Sequence, residues 1–211
     1  MVNILYIHGM GGGGDSRIPS ILSEELAGYG VSVVVRTYDF DPDRAAAEIS
    51  AWVAELHPSL VIGESLGALH ALRIEGIPHL FVSPALNTPF YFELLAWLSL
   101  IPGVTWIFDH IYKPREGDRQ KLHFCFPILR KYLPHRKMAL ANSPRNGSDE
   151  FFHAFFGTRD HYRKNGIVSV GTWRKHFGET FTLYDGTHFM EEEFVRTILC
   201  AKILSVLNIS I

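Results

Sequence analysis

The chain has 211 residues, a length that suits one compact domain with a single excursion inserted into it. Hydrophobic residues make up 47% and charged residues 20%, as in ordinary globular proteins, and a formal net charge of −2 lacks the basic excess of a dedicated nucleic-acid binder. The two cysteines, Cys125 and Cys200, are too widely spaced to read as a disulfide framework or a paired metal site.

In chain order, short β-branched and aromatic runs alternate with amphipathic segments, the pattern of a parallel sheet covered by helices on both faces. Strands are expected over 2–7, 31–37, 59–62, 79–83, 151–156 and 180–184. They read as continuous apolar runs because such strands are buried on both faces. Helices are expected over 16–27, 43–56, 66–75, 168–177 and 190–207, where Phe194, Ile198, Ala201 and Leu204 recur at helical spacing. The first strand starts at Val2 with no basic, small-residue-cleaved leader before it, which predicts a cytoplasmic protein. Between 88 and 133 the alternation stops, and the chain is first aromatic and apolar, then basic. This is the place for a cap-like insertion over a site, or for packing helices. Its apolar part, 90–108, is broken by Glu93 and by Pro102-Gly103, so no membrane span is expected.

Three segments carry chemistry. In Val61-Ile62-Gly63-Glu64-Ser65-Leu66-Gly67-Ala68 a buried strand turns at once into a helix through G-x-S-x-G. A serine on so tight a turn, a nucleophile elbow, needs neighbours without bulk, here Gly63 and Gly67. The amide of Leu66 then faces the place where an oxyanion would develop. The second segment, Ile7-His8-Gly9-Met10-Gly11-Gly12, ends the first strand, and its Met10 amide is the expected second oxyanion donor. His8 and Gly9 support that loop. The third is Tyr184-Asp185-Gly186-Thr187-His188-Phe189, between the last strand and the last helix. It puts His188 at the carboxyl edge of the sheet beside Ser65, as a general base must be.

The acid that orients His188 is expected to follow the fifth strand. Gly157-Thr158-Arg159-Asp160 supplies it in Asp160, whereas Asp149 and Glu150 precede that strand and Asp185 better suits a loop cap. A rival reading exists for the glycines. Residues 9–14 also satisfy G-x-G-x-x-G, with Asp39 after the second strand as a ribose acid, but the helix is expected to start only after the run. From His110 to Lys137 the basic residues are Lys113, Arg115, Arg119, Lys121, Arg130, Lys131, Arg136 and Lys137, against Glu116 and Asp118. Such a run is a solvated face or, near a pocket, a preference for an anionic substrate such as a CoA thioester.

The H-G loop, G-E-S-L-G, G-T-R-D and G-T-H, in that order, resemble the α/β-hydrolase superfamily, and the chain is similar to short bacterial serine esterases within it. The resemblance implies a doubly wound, mainly parallel six-stranded sheet of order 2-1-3-4-5-6 and hydrolysis of a carboxylic ester through an acyl-enzyme. The implied triad is Ser65, Asp160 and His188, with no cofactor and no metal. A thioesterase or acyltransferase would use the same triad. From another class, a non-catalytic or dinucleotide-binding protein would use a related sheet. The expected partner is a small ester or acyl compound, medium-chain or anionic. The surplus of apolar residues at Phe90, Tyr91, Phe92, Leu94, Leu95, Trp97 and Leu98 must be buried in an acyl pocket or against a second copy of the chain.

Overall fold

The computed structural model describes residues 2–113, 116–141 and 152–209. Six strands form one sheet in the order β2-β1-β3-β4-β5-β6, and every neighbouring pair is parallel. They are β1 (Val2–Ile7), β2 (Val31–Val35), β3 (Leu60–Glu64), β4 (His79–Val82), β5 (Phe152–Gly157) and β6 (Phe181–Tyr184). Alternate side chains point to opposite faces of a strand, and each face here meets its own core. Leu5, Ile7, Val61, Phe81, Ala154 and Phe156 belong to one core, while Ile4, Tyr6, Leu60, Ile62, Leu80, Val82 and Phe155 belong to the other. Each such side chain contributes about 1.5–3 kcal/mol by leaving water. That double burial is why these strands carry no polar alternation.

Helices α1 (Arg17–Leu26), α2 (Pro42–Leu56), α3 (Gly67–Ala71), α4 (Thr88–Leu98), α5 (Val104–Ile111), α6 (Phe126–Ala141) and α7 (Val170–Phe177) follow in chain order. The C-terminal helix begins as α8 (Glu192–Phe194), passes through a π-helical turn (Val195–Leu199) and continues as α9 (Cys200–Val206). Residues of α2, α3, α4, α6 and α7 build the first core. Those of α1 and the C-terminal helix build the second.

Three differences from the sequence expectations bear on the site. Helix α3 is only five residues long, not a helix over 66–75. The excursion holds α4, α5 and α6, and α6 runs straight through Pro134 to Ala141, past the boundary at 133. Strand β5 covers 152–157; Phe151, Asp149, Glu150 and Arg115 lie outside the described residues. The apolar stretch 90–108 divides into α4 and α5, and among the described residues no helix is long and apolar enough to cross a membrane.

In a parallel sheet all strand ends lie along one edge. The loops after β1, β3, β4, β5 and β6 therefore converge there. The turns at the opposite edge, around 28–30, 57–59, 76–78 and 178–180, are short and carry none of the candidate site residues.

Candidate active site

Ser65 leaves β3 with φ of +50°, in the left-handed region that non-glycine residues rarely adopt. The turn is tight enough that its two glycines have no room for a side chain. A Cβ on Gly63 would lie 2.8 Å from the Ala71 Cβ, and one on Gly67 would lie 2.3 Å from the His8 carbonyl oxygen. The turn is fixed by Ser65 N–H donating to the Val82 carbonyl at 2.9 Å and by the Ser65 carbonyl accepting from Ala85 N–H at 3.0 Å.

His188 follows β6 and is buried. Its Nε2 lies 2.9 Å from Ser65 Oγ and its Nδ1 lies 2.8 Å from Asp160 Oδ2. Asp160 divides its carboxylate between two tasks, since Oδ1 accepts Tyr162 N–H at 2.8 Å, closing the turn after β5. The cap role and the role of orienting His188 are thus carried by different oxygens of one side chain. The Tyr162 ring packs edge-on against His188, with centroids 4.7 Å apart. Asp185 does not reach His188; it is exposed and pairs with Arg159 at 3.1 Å. The loop around His188 is held instead by Glu191, which accepts Thr187 N–H at 3.1 Å, and by Arg17, whose Nη2 donates to the carbonyls of Phe189 and Met190.

The glycine loop lies directly behind Ser65: a Cβ on Gly9 would be 3.0 Å from the Ser65 Cβ. Four of its amides are already engaged. Gly11 N–H donates to Gln120 Oε1, Gly13 N–H to Ser16 Oγ and Gly14 N–H to Thr37 Oγ1, each at 3.1 Å, and Gly12 N–H donates to Gly9 O at 3.0 Å. Met10 and Leu66 both line the cavity over Ser65, and among the described residues neither amide has an acceptor. Both amides are therefore without an acceptor among the described residues, as the donors of an oxyanion hole would have to be.

His8 donates from Nδ1 to the Gly9 carbonyl at 2.7 Å and stacks on Tyr38, with ring centroids 4.3 Å apart. Tyr38 in turn donates its hydroxyl to the His8 carbonyl at 2.6 Å. Burial lowers the His8 pKa to about 4, so the ring is neutral and holds the loop. The buried Gln120 clamps the same loop from the excursion. Besides accepting from Gly11, its Nε2 donates to Tyr38 O at 3.2 Å and its backbone N–H to Gly12 O at 2.7 Å.

The run of glycines has its own cause. Cβ atoms at Gly13 and Gly14 would meet Asp118 at 1.7 Å and 2.2 Å, so the run lets the excursion lie on the loop. With those amides engaged and α1 starting only at Arg17, no row of free N–H groups remains for a pyrophosphate. Asp39 serves a turn, accepting Asp41 N–H at 2.8 Å. The dinucleotide reading fails on these contacts.

Ser65 and His188 open into a cavity of about 530 Å³. Its apolar wall comes from α4 and the segments beside it, with Phe92, Leu95, Phe124, Tyr162 and Ile167. Trp97 is not part of that wall. It is 55% exposed and packs against Phe126 and Arg130, so the expectation that it shapes the cavity is corrected. Among the described basic residues from 110 to 137, only Arg119 lines the cavity. Lys131 pairs with Asp41 and Asp43, Arg130 with Glu93, and Arg136 donates to Leu86 O and Asn87. Among the described residues no group of three or more His, Cys, Asp or Glu side chains is placed to hold a metal ion.

The sheet order, the loop positions and the serine turn define the α/β-hydrolase fold. Solved structures with this fold match almost the whole chain. One is Est1E from Butyrivibrio proteoclasticus with ferulic acid bound, 15% identical, covering 96% of this chain and 90% of that one, with a TM-score of 0.62. The metagenome-derived lipolytic enzymes LipS and LipT give a match at 15% identity, 98% and 94% coverage and a TM-score of 0.64. A variant of the haloalkane dehalogenase DatA from Agrobacterium tumefaciens C58 matches at 11% identity, 98% and 90% coverage and a TM-score of 0.66. The fold is common to these different hydrolases. No protein-family model matches the sequence, and no curated protein does.

Proposed function

We propose that this protein is a serine hydrolase that cleaves carboxylic esters through an acyl-enzyme. The observation that carries the reading is the continuous relay at the cavity floor, Ser65 Oγ to His188 Nε2 at 2.9 Å and His188 Nδ1 to Asp160 Oδ2 at 2.8 Å. In this mechanism His188 takes the Ser65 proton as the hydroxyl oxygen attacks the ester carbonyl. The Met10 and Leu66 amides receive the resulting oxyanion. Asp160 holds the imidazole in the tautomer with its free nitrogen toward Ser65, and stabilises the imidazolium without taking its proton. His188 then protonates the departing alkoxide, the acyl group remains on Ser65, and a water activated by the same imidazole releases the acid. The largely apolar wall of the cavity suits an acyl chain, and among the similar structures LipS and LipT are described as lipolytic enzymes.

The test is labelling by a fluorophosphonate probe combined with hydrolysis of 4-nitrophenyl butanoate. The protein is expected to take up one probe at Ser65 and to turn the ester over, and Ser65→Ala to lose labelling and about 10⁴–10⁶ in turnover. Ester hydrolysis that survives Ser65→Ala within about tenfold would overturn the assignment.

A further inference from the structure

Two kinds of wall meet at Ser65. On the side of α4 the cavity is bounded by Phe92, Leu95 and Phe124, which pack with the first core. On the side of α1 it is bounded by Ser16, Arg17, Ile18 and Arg119, and Ile18 packs with the second core. Arg17 stands out among these. Its guanidinium has five N–H donors, yet among the described residues only Nη2 is engaged, on the carbonyls of Phe189 and Met190. Among the described residues it has no carboxylate within ion-pair distance, whereas Arg119 is matched by Asp15 at 2.6 Å. Glu64, also in the wall, accepts the Tyr6 hydroxyl at 2.8 Å and makes no ion pair with Arg17 among the described residues. Anchoring two carbonyls requires no permanent charge, so among the described residues Arg17 is an unmatched, solvent-exposed cation on a cavity wall.

Its position says which part of a substrate it faces. The leaving group must sit at His188 Nε2 to receive its proton, and Arg17 is fastened to the two residues that follow His188. We infer that the preferred substrates are esters whose leaving group carries a carboxylate or another anionic group, bound by Arg17, with the apolar acyl part against α4. The inference rests on the hydrolase reading for the term "leaving group", but the anion site itself does not.

The experiment compares two butanoate esters of matched size, 4-carboxyphenyl and 4-carbamoylphenyl, which differ in charge at one position. The purified protein is expected to favour the carboxylate ester in kcat/KM by about two- to fivefold, the scale of one exposed ion pair. The preference should reside in KM, weaken with added salt, fall to near parity in Arg17→Gln and partly persist in Arg17→Lys. Lys175→Gln, a cation on α7 outside the cavity wall, should leave the ratio unchanged. A preference for the carbamoyl ester, or a parallel fall of both esters in Arg17→Gln, would mean that Arg17 only anchors the loop, and would overturn the inference. Calorimetry on Ser65→Ala with benzoate and benzamide separates this from the hydrolase reading. Tighter binding of benzoate that is lost in Ser65→Ala/Arg17→Gln supports the anion site even if neither ester turns over. Turnover of both esters without benzoate binding refutes the anion site and leaves the hydrolase reading intact.

Discussion

In Gly67→Ala the new Cβ would lie 2.3 Å from the carbonyl oxygen of His8 and 2.4 Å from that of Ile7. Both oxygens belong to the backbone, so no rotamer change relieves the overlap. A tolerable carbon–oxygen contact is about 3.3 Å, which requires the elbow and the end of β1 to separate by about 1 Å. That separation moves Ser65 against the Met10 amide, and a misplacement of about 1 Å typically costs on the order of 10²-fold in rate. The accompanying strain should lower stability by about 1–3 kcal/mol. The matching control is Gly171→Ala, the same chemical change on α7, where the nearest non-adjacent heavy atom is Ser169 Oγ at 3.7 Å. It should stabilise the protein by about 0.5–1 kcal/mol, as alanine does for glycine in a helix, and leave the rate alone. Urea unfolding and steady-state hydrolysis of 4-nitrophenyl butanoate, with the rate of fluorophosphonate labelling as a second probe of Ser65, read all three quantities. A Gly67→Ala protein within about threefold of the parent in kcat would show that the elbow and the loop tolerate the shift, and would refute the reasoning.

Asp160→Asn should lower kcat by roughly 10²–10⁴ by favouring the wrong imidazole tautomer, while Asp185→Asn should leave it nearly unchanged; the reverse order in steady-state rates would move the third triad position to Asp185. Gln120→Leu removes the acceptor of Gly11 N–H and should lower kcat by about tenfold with little change in KM, since a loosened oxyanion donor acts on the transition state; a change confined to KM or to melting temperature would make Gln120 a packing residue only. Burial lowers the pKa of His8, His79 and His135 to about 4 each, and drives that of His70 well below its usual range. The unfolded chain binds protons at these positions from about pH 6.5 downward, so stability should fall as pH drops from 7 to 5, by on the order of 1–2 kcal/mol per histidine. Urea midpoints that stay level or rise over that interval would contradict this.

The strands and the three site loops were readable because their causes are local. A strand buried on both faces leaves an unbroken apolar run, and a serine between two glycines at the end of such a run marks a sharp turn. Asp160 was readable from chain direction alone, because in a parallel sheet whatever follows a strand lies at the active edge. What escaped depends on contacts between distant residues. Gln120 reaches Gly11 across 109 positions and Arg17 reaches Met190 across 173, and neither sits in a local pattern. The glycine run also fits a phosphate-binding pattern, yet Asp118 of the excursion accounts for two of its glycines, by its backbone carbonyl at Gly13 and its carboxylate at Gly14. The excursion is expected to end at 133, but α6 continues through Pro134 to Ala141 with Tyr132, His135 and Ala139 buried. Trp97 shares the apolar composition of its neighbours, and composition alone does not say which side of α4 faces the cavity.

The short turns at the far edge of the sheet make the protein easy to tether. Gly28, in the turn before β2, has open space where a Cβ would go and needs no left-handed backbone, whereas Gly30, Gly76 and Gly178 have φ of +69°, +74° and +76°. A cysteine at position 28 is therefore the natural handle for a dye, a resin or a second protein. Of the native thiols Cys200 is buried and Cys125 is partly so. Because every strand points the same way, whatever is attached at Gly28 stands a full strand length from Ser65. The mouth of the cavity is left turned toward the solution.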